Sequence, residues 1–197
     1  MSDVALVCVS HGFHVRNILY SRLYEHLTRT MRVVLVLPPG VVVPAADEHL
    51  LRGATTVSVK VVPVRFENHF LFMRKNIFAG RERTQTFNLI SELERRKHPV
   101  LYRVASYCNA VLGRVPAIGR LWQKVEAAFI PGTEFDEVMR RFAPRVLITA
   151  NYGTESFEVR LLRAARRYGV PSLALIPSWD NLSSKGVIGE NPRHLVV

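Results

Sequence analysis

Cysteine is almost missing from this chain, with Cys8 and Cys108 the two examples in 197 residues. They show no paired spacing, which excludes a disulfide framework, a zinc-ribbon site and a Cys-x-x-Cys redox motif, and fits a reducing cytoplasm. A long apolar run is missing too. The longest uncharged stretch, Val33 to Ala46, is broken by Pro38, Pro39 and Pro44 and falls short of the roughly 20 apolar residues that a spanning helix needs. The start, Met1-Ser2-Asp3, is acidic, and Val4 to Val9 is too short for a signal core, so a first strand rather than a leader is expected there. Low-complexity tracts and internal repeats are absent. Also missing are the glycine partners that would turn Gly12 into a dinucleotide fingerprint, a Gly-Lys-Ser/Thr phosphate loop, and the flanking glycines that would make Ser178 a nucleophile elbow.

Carboxylates are scarce. Sixteen Asp and Glu stand against 27 Lys and Arg, a formal charge of +11, which calls for an anionic partner: nucleic acid, anionic lipid or a phosphorylated substrate. Between Glu94 and Glu126 there is no carboxylate at all, while Arg95, Arg96, Lys97, Arg103, Arg114, Arg120 and Lys124 accumulate. The surplus charge is therefore concentrated in the middle of the chain.

What is present is a repeated strand and helix pattern. Val4 to Val9 and Arg32 to Leu37 are continuous apolar runs of the kind found in strands buried on both faces. Between them Ile18, Leu19, Leu23 and Leu27 fall at helical spacing, which predicts a βαβ unit. A short helical piece from Ala46 to Arg52 and a third strand from Thr56 to Val64 follow. Helices are predicted from Phe87 to Lys97, and again through Val100, Val104, Val111 and Val115 as far as Pro116. Thr133 is a candidate N-cap for a helix carrying Phe135, Val138, Met139 and Phe142. Arg145 to Ala150 reads as a strand, Thr154 as the cap of a helix carrying Phe157, Leu161, Ala165 and Tyr168, and Ser172 to Ile176 as the strand that closes a second βαβ unit. The expectation is one α/β domain over residues 1–197, a Rossmann-like parallel sheet with helices on both faces and a helical, basic insertion at about 65–132.

In such a sheet ligands bind beyond the carboxyl ends of the strands. Three polar loops are expected there: Ser10 to Asn17, Asn151 to Ser156, and Pro177 to Gly186. The first offers His11, Gly12, His14, Arg16 and Asn17. A histidine suits general-base work near neutrality and Gly12 permits close backbone approach, the alternative being histidines that cap the helix. Two histidines three apart with no nearby carboxylate or cysteine make a poor metal site, so no metal is expected. The second loop offers Asn151, Tyr152 and Glu155. The third offers Ser178, Trp179, Asp180, Asn181, Ser184 and Lys185: an aromatic plate for a sugar or base, hydroxyl-bonding groups and a cation for an anion.

The basic middle sets Phe70, Phe72, Arg74, Lys75, Phe78 and Arg81 side by side. Such a mixture could stack on single-stranded nucleic acid, or dock on anionic lipid, or simply be core with a solvated cationic rim. Lipid docking is the preferred functional reading, and nucleic acid the less favoured one.

Two stretches, VALVCVSHGFHVRNILYSRLYEHL from Val4 and LIPSWDNLSSKG from Leu175, resemble the N-terminal half of GT-B-type glycosyltransferases, especially bacterial surface-polysaccharide transferases and CDP-glycerol glycerophosphotransferase-like proteins. The Ser178-Trp179-Asp180-Asn181-Leu182-Ser183-Ser184-Lys185-Gly186 element is the specific part, whereas the Arg16-Asn17 pair departs from the commonest version of the first loop. The resemblance implies the acceptor-binding half of a GT-B fold, with a C-terminal donor-binding domain supplied in cis or by a separate subunit and absent from this chain. It implies metal-independent transfer from a nucleotide-sugar co-substrate, without a cofactor, to a glycan or lipid-linked acceptor, by a peripheral protein at the cytoplasmic face of the membrane. His14 would be the base, or Asp180 in its place; Trp179 and Asn181 would orient a sugar, and Lys185 would face phosphate. On this reading the 197 residues alone are inactive. The alternatives are a glycerophosphotransferase-like half and a non-catalytic, membrane-tethering subunit of a split transferase.

Overall fold

The computed structural model describes residues 3–41, 43, 45–77, 92–93, 95–96, 98–113, 115–151, 155–176 and 188–196. The chain divides into two compact units. Unit 1 is Met1–Val62, Pro131–Pro177 and Glu190–Val197; unit 2 is Pro63–Ile130 with Ser178–Gly189.

Unit 1 is a six-stranded sheet in the order β3-β2-β1-β4-β5-β6. Its strands are β1 (Val4–Cys8), β2 (Arg32–Leu37), β3 (Thr55–Ser58), β4 (Val146–Thr149), β5 (Ser172–Leu175) and β6 (His194–Val196). Every pairing is parallel, from Val4 opposite Arg32 to Leu175 opposite Val196. Alternate residues serve opposite faces, as the two-residue period requires. Leu6, Cys8, Val34, Val36 and Leu147 pack on one side with Phe135, Met139, Leu161 and Leu162. Ala5, Val7, Val33, Leu35 and Ile148 pack on the other with Ile18, Leu19, Tyr24 and Leu27. Both faces are therefore covered, which explains why the β1 and β2 sequences are apolar without alternation. The unit is an α/β, Rossmann-like sheet.

The chain leaves β1 through one helical turn, Gly12–His14, which passes into a π-helical turn, Val15–Leu19. The helix expected through Ile18 to Leu27 is thus broken in two. Ser21 stops the first part and caps the second, α1 (Arg22–Thr30), by accepting a hydrogen bond from the Tyr24 backbone N–H at 3.2 Å, a contact worth about 1 kcal/mol. The third strand is shorter than its alternating pattern suggested, because pairing to β2 ends at Ser58. On the far face lie α5 (Asp136–Phe142) and α6 (Ser156–Arg167), numbered after the unit 2 helices described next. Phe135 and Phe157 meet edge to face at 5.1 Å beneath them. Thr133 opens a 3-10 turn without a side-chain cap, and Thr154 lies outside the described residues.

Unit 2 contains α2 (Glu67–Asn76), α3 (Pro99–Leu112) and α4 (Pro116–Phe129). Proline at the first turn starts both α3 and α4, where a missing N–H costs nothing. Ile77 and Ala105 are buried at its centre, with Phe72, Met73, Cys108, Leu112, Ile118 and Trp122 packed around them. Arg74 and Glu126 form an ion pair at 3.1 Å, with side chains only 3% and 4% exposed.

Candidate functional site

The sheet order reverses between β1 and β4: the α1 crossover leaves β1 on one face, and the α6 crossover leaves β4 on the other. The space beyond the carboxyl ends of these two strands is the switch point where open α/β sheets bind ligands. Cys8 and Thr149 are register partners at that edge. The residues that follow them, Ser10 and Asn151, are polar yet only 2% and 5% exposed. Thr149 turns the second loop inward by donating its hydroxyl to the Asn151 carbonyl at 2.6 Å.

Three buried side chains converge here. The Ser10 hydroxyl donates to Glu158 Oε1 at 2.7 Å and also contacts His14 Nδ1 at 3.0 Å, while His14 Nδ1 lies 3.5 Å from the same Oε1. A serine hydroxyl has one proton. With that proton directed at Glu158, the contact with His14 requires Nδ1 to carry hydrogen and Ser10 Oγ to accept it. The neutral ring then has its lone pair on Nε2, the state a general base needs. Glu158 comes from α6 and is 0% exposed. Its carboxylate also acts on Cys8, whose thiol burial pushes well above its ordinary value, with the charge of Glu158 adding to the rise. A carboxylate this deep requires partners, and Ser10 and His14 are among them.

The rest of the first loop frames the histidine. His11 is exposed, stacks on His14 with ring centroids 5.3 Å apart and planes 15° apart, and bonds the Ser10 carbonyl through Nδ1. Its backbone carbonyl accepts from both the His14 and Val15 N–H groups, so the capping is done by the main chain. Gly12 has open space where a Cβ would stand and no left-handed backbone. Arg16 is exposed and Asn17 half-buried. Glu155 occupies the N-cap position of α6 without a side-chain cap bond. The structure thus brings His14 and Asn151 to one sheet edge, with His11, Gly12, Arg16, Asn17 and Glu155 along the loops that lead from it. Tyr152, Ser178, Trp179, Asp180, Asn181, Ser184 and Lys185 lie outside the described residues, as do Phe78 and Arg81.

The basic middle requires a correction. Phe70 is 8% exposed and Arg74 3%; the ring meets Trp122 and Phe129 at 5.2 and 5.7 Å, and the guanidinium is held by Glu126. Both face the interior of unit 2 and are out of reach of a lipid surface. Phe72 and Lys75 are half-buried, and the Phe72 ring packs against Tyr102. Alternation of aromatics and cations looks alike in sequence whether the cation is solvated or paired across helices. The partner, Glu126, lies far along the chain.

Ser10 and Glu158 were not among the residues picked out for chemistry. A signal for Glu158 does exist, since it shares a helical face with Leu161, Leu162 and Ala165, all buried. An acid on the core face of a helix is costly unless it serves something. Nothing local marks Ser10, whose importance comes from a residue on another element. Among the described residues there is no cluster of three His, Cys, Asp or Glu able to hold a metal. Among them, too, no helix is long and apolar enough to cross a membrane.

No protein-family model matches the sequence, and no curated protein matches it. Among solved structures the chain is similar to LpCGTa in complex with UDP at 15% identity and a TM-score of 0.39, over 90% of this chain and 32% of that one. It is similar to Phytolacca americana UGT2 complexed with UDP-2fluoro-glucose and pterostilbene at 14% identity and a TM-score of 0.36, over 88% of this chain and 30% of that one. TcCGT1 in complex with UDP gives 14% identity and a TM-score of 0.34, over 89% and 28%. The chain spans about a third of the length of each.

Proposed function

We propose that unit 1 is the acceptor-activating half of a glycosyltransferase, in which His14 removes a proton from an acceptor hydroxyl as a nucleotide-sugar donor delivers its sugar. The observation that carries this reading is the Ser10, His14 and Glu158 cluster at the β1/β4 switch point. Ser10 and Glu158 fix hydrogen on Nδ1 and the adjacent carboxylate stabilises the imidazolium that forms. His14 is the catalytic residue of this scheme, and Glu158 and Ser10 position it. The resemblance of the Val4 and Leu175 stretches to GT-B transferases supplies the reaction class. The donor would be held by a further domain or subunit, the acceptor is a glycan or a lipid-linked glycan, and the setting is cell-surface polysaccharide synthesis at the cytoplasmic face of the membrane.

The test is made in the protein that unites this chain with its donor-binding domain or subunit. His14→Ala is expected to lower kcat by about 10²- to 10⁴-fold, the usual worth of a general base, with little change in acceptor KM. Glu158→Gln keeps the shape and removes the charge, and is expected to lower kcat and shift the pH profile of turnover. Full turnover in His14→Ala eliminates the assignment. A membrane-tethering, non-catalytic subunit is the second reading, favoured by the apolar side chains that unit 2 exposes; it is the one left standing if both variants transfer sugar at the parent rate.

A further inference from the structure

His11 and His14 stand one turn apart, with the His11 carbonyl accepting from the His14 N–H at 2.9 Å, so their side chains share a face of that turn. The rings are stacked, 15° from parallel with centroids 5.3 Å apart. One residue holds both. Nδ1 of His11 bonds the Ser10 carbonyl, and Nδ1 of His14 bonds the Ser10 hydroxyl at 3.0 Å. A carbonyl oxygen only accepts, so the first bond puts hydrogen on Nδ1 of His11. The Ser10 hydroxyl has its own proton on Glu158, which puts hydrogen on Nδ1 of His14 as well. Both neutral rings therefore share one tautomer, with the lone pair on Nε2, at the end of the ring away from Ser10.

Counting protons shows what such a pair selects. Two Nε2 lone pairs accept two hydrogens, and a hydroxyl carries one. A ligand with a single hydroxyl serves one of the histidines, whereas two hydroxyls on one carbon frame serve both. A carboxylate offers no hydrogen to either. His11 is exposed, and among the described residues its ring has no second hydrogen-bond partner. Water satisfies its Nε2 until an acceptor covers it. An acceptor without the second hydroxyl then leaves a desolvated nitrogen unpaired, the penalty by which hydrogen-bonding sites reject such analogues. The two rings differ in their surroundings. His14 Nδ1 lies 3.5 Å from the Glu158 carboxylate, which stabilises an imidazolium, whereas the His11 ring is bonded to a neutral carbonyl. The hydroxyl on His14 is thus the one that gives up its proton.

We infer that the acceptor is a polyol held through two hydroxyls at once: one on Nε2 of His14, where it is deprotonated, and one on Nε2 of His11, where it keeps its proton and fixes which hydroxyl reacts. The role of His14 here rests on the transferase reading, whereas the pairing is measured without donor or turnover. The full chain, carrying nitrogen-15 in its histidines, is titrated at about pH 8, where imidazoles are ordinarily neutral. The probes are cis-cyclohexane-1,2-diol, cis-cyclohexane-1,3-diol and cyclohexanol, followed through the ring nitrogen resonances by NMR. Without a probe both rings are expected to carry hydrogen on Nδ1, and hydrogen on Nε2 of His11 overturns the pair. At least one diol is expected to bind about tenfold more tightly than cyclohexanol and to shift both Nε2 resonances. His11→Phe keeps a ring against His14 and removes the second acceptor, so the diol should fall to the level of cyclohexanol. His11→Gln, whose side-chain carbonyl still accepts, should keep part of the preference. Equal binding of diols and cyclohexanol by the parent, or a preference that His11→Phe leaves intact, overturns the two-hydroxyl site even if His14→Ala abolishes turnover. A diol preference that survives alongside full turnover in His14→Ala eliminates the base and leaves the polyol site standing.

Discussion

The two units place charge and apolar surface in opposite ways. In unit 1 both faces of the sheet are sealed by apolar clusters, and the buried polar groups Ser10, His14 and Glu158 gather at one strand edge. In unit 2 the described residues bury four apolar side chains, Phe70, Ile77, Ala105 and Ile130, and the Arg74–Glu126 ion pair, while ten of the fifteen exposed large hydrophobics among the described residues fall within residues 63–130. Unit 1 thus adds a polar cluster at a strand edge to its own buried ion pairs, Arg160 with Glu134 and Arg163 with Glu190, whereas the buried ion pair of unit 2 lies in its interior. Apolar residues in unit 2 are left at the surface, where they can meet a ligand.

The sharpest way to break this comparison is to remove one half of the unit 2 ion pair. Arg74→Ala removes the cation 3.1 Å from the buried Glu126 carboxylate and is expected to cost about 3–5 kcal/mol in urea unfolding, whereas replacing both partners, Arg74→Met with Glu126→Leu, is expected to be neutral or stabilising. A loss below about 1 kcal/mol for the single variant would mean that water reaches Glu126. Unit 1 has its own weak point in Gly132, with a left-handed φ of 74°. An added Cβ would sit 2.2 Å from the Arg160 carbonyl oxygen on α6. Because the obstacle is main chain and Arg160 is itself held by Glu134 at 2.8 Å, Gly132→Ala is expected to cost about 2–4 kcal/mol. Gly12, with free space and ordinary φ, accepts the same change with little loss of stability.

Alkaline pH sharpens the contrast from the side of the unit 1 core. Burial, assisted by Glu158, raises the Cys8 thiol above its ordinary value of 9.0, so above about pH 9 the unfolded chain releases a proton that the folded chain keeps. Stability attributable to Cys8 is therefore complete below that pH and falls as pH rises, by up to about 1.4 kcal/mol per unit. Tyr24, raised from 10.0 by burial, adds the same sign of slope higher up. Cys8→Ala is expected to flatten the unfolding free energy between about pH 9 and 10 relative to the parent; an unchanged slope would place the alkaline loss elsewhere.

The sheet was legible in the sequence because strands buried on both faces leave unbroken apolar runs, and all five expected strands are there, with His194–Val196 as a sixth. The position of His14 followed from its place after β1. Its partners did not, since Ser10 and Glu158 are 148 residues apart and only the parallel register of β1 with β4 brings α6 over the first loop. The same limit hid the pairing of Arg74 with Glu126. Local pattern reports which face a residue shares, and says little about what another element brings to that face. The valines of α3 are the converse case. Their spacing was read correctly as helical, and the face they mark is turned outward.

That outward face sets the smallest and most discriminating expectation. Val100, Val104, Tyr107 and Val111 are each more than half exposed, so replacing any of them by Gln removes little area from contact with protein and is expected to change stability by no more than about 0.5 kcal/mol. A buried valine of β1 such as Val7, at 0% exposure, should lose about 2 kcal/mol or more on truncation to Ala, because its methyl groups leave a cavity. If the α3 substitutions instead cost more than about 1 kcal/mol, the stripe is covered by protein in solution, and the exposure of its valines, each above half, is not what the solvent meets.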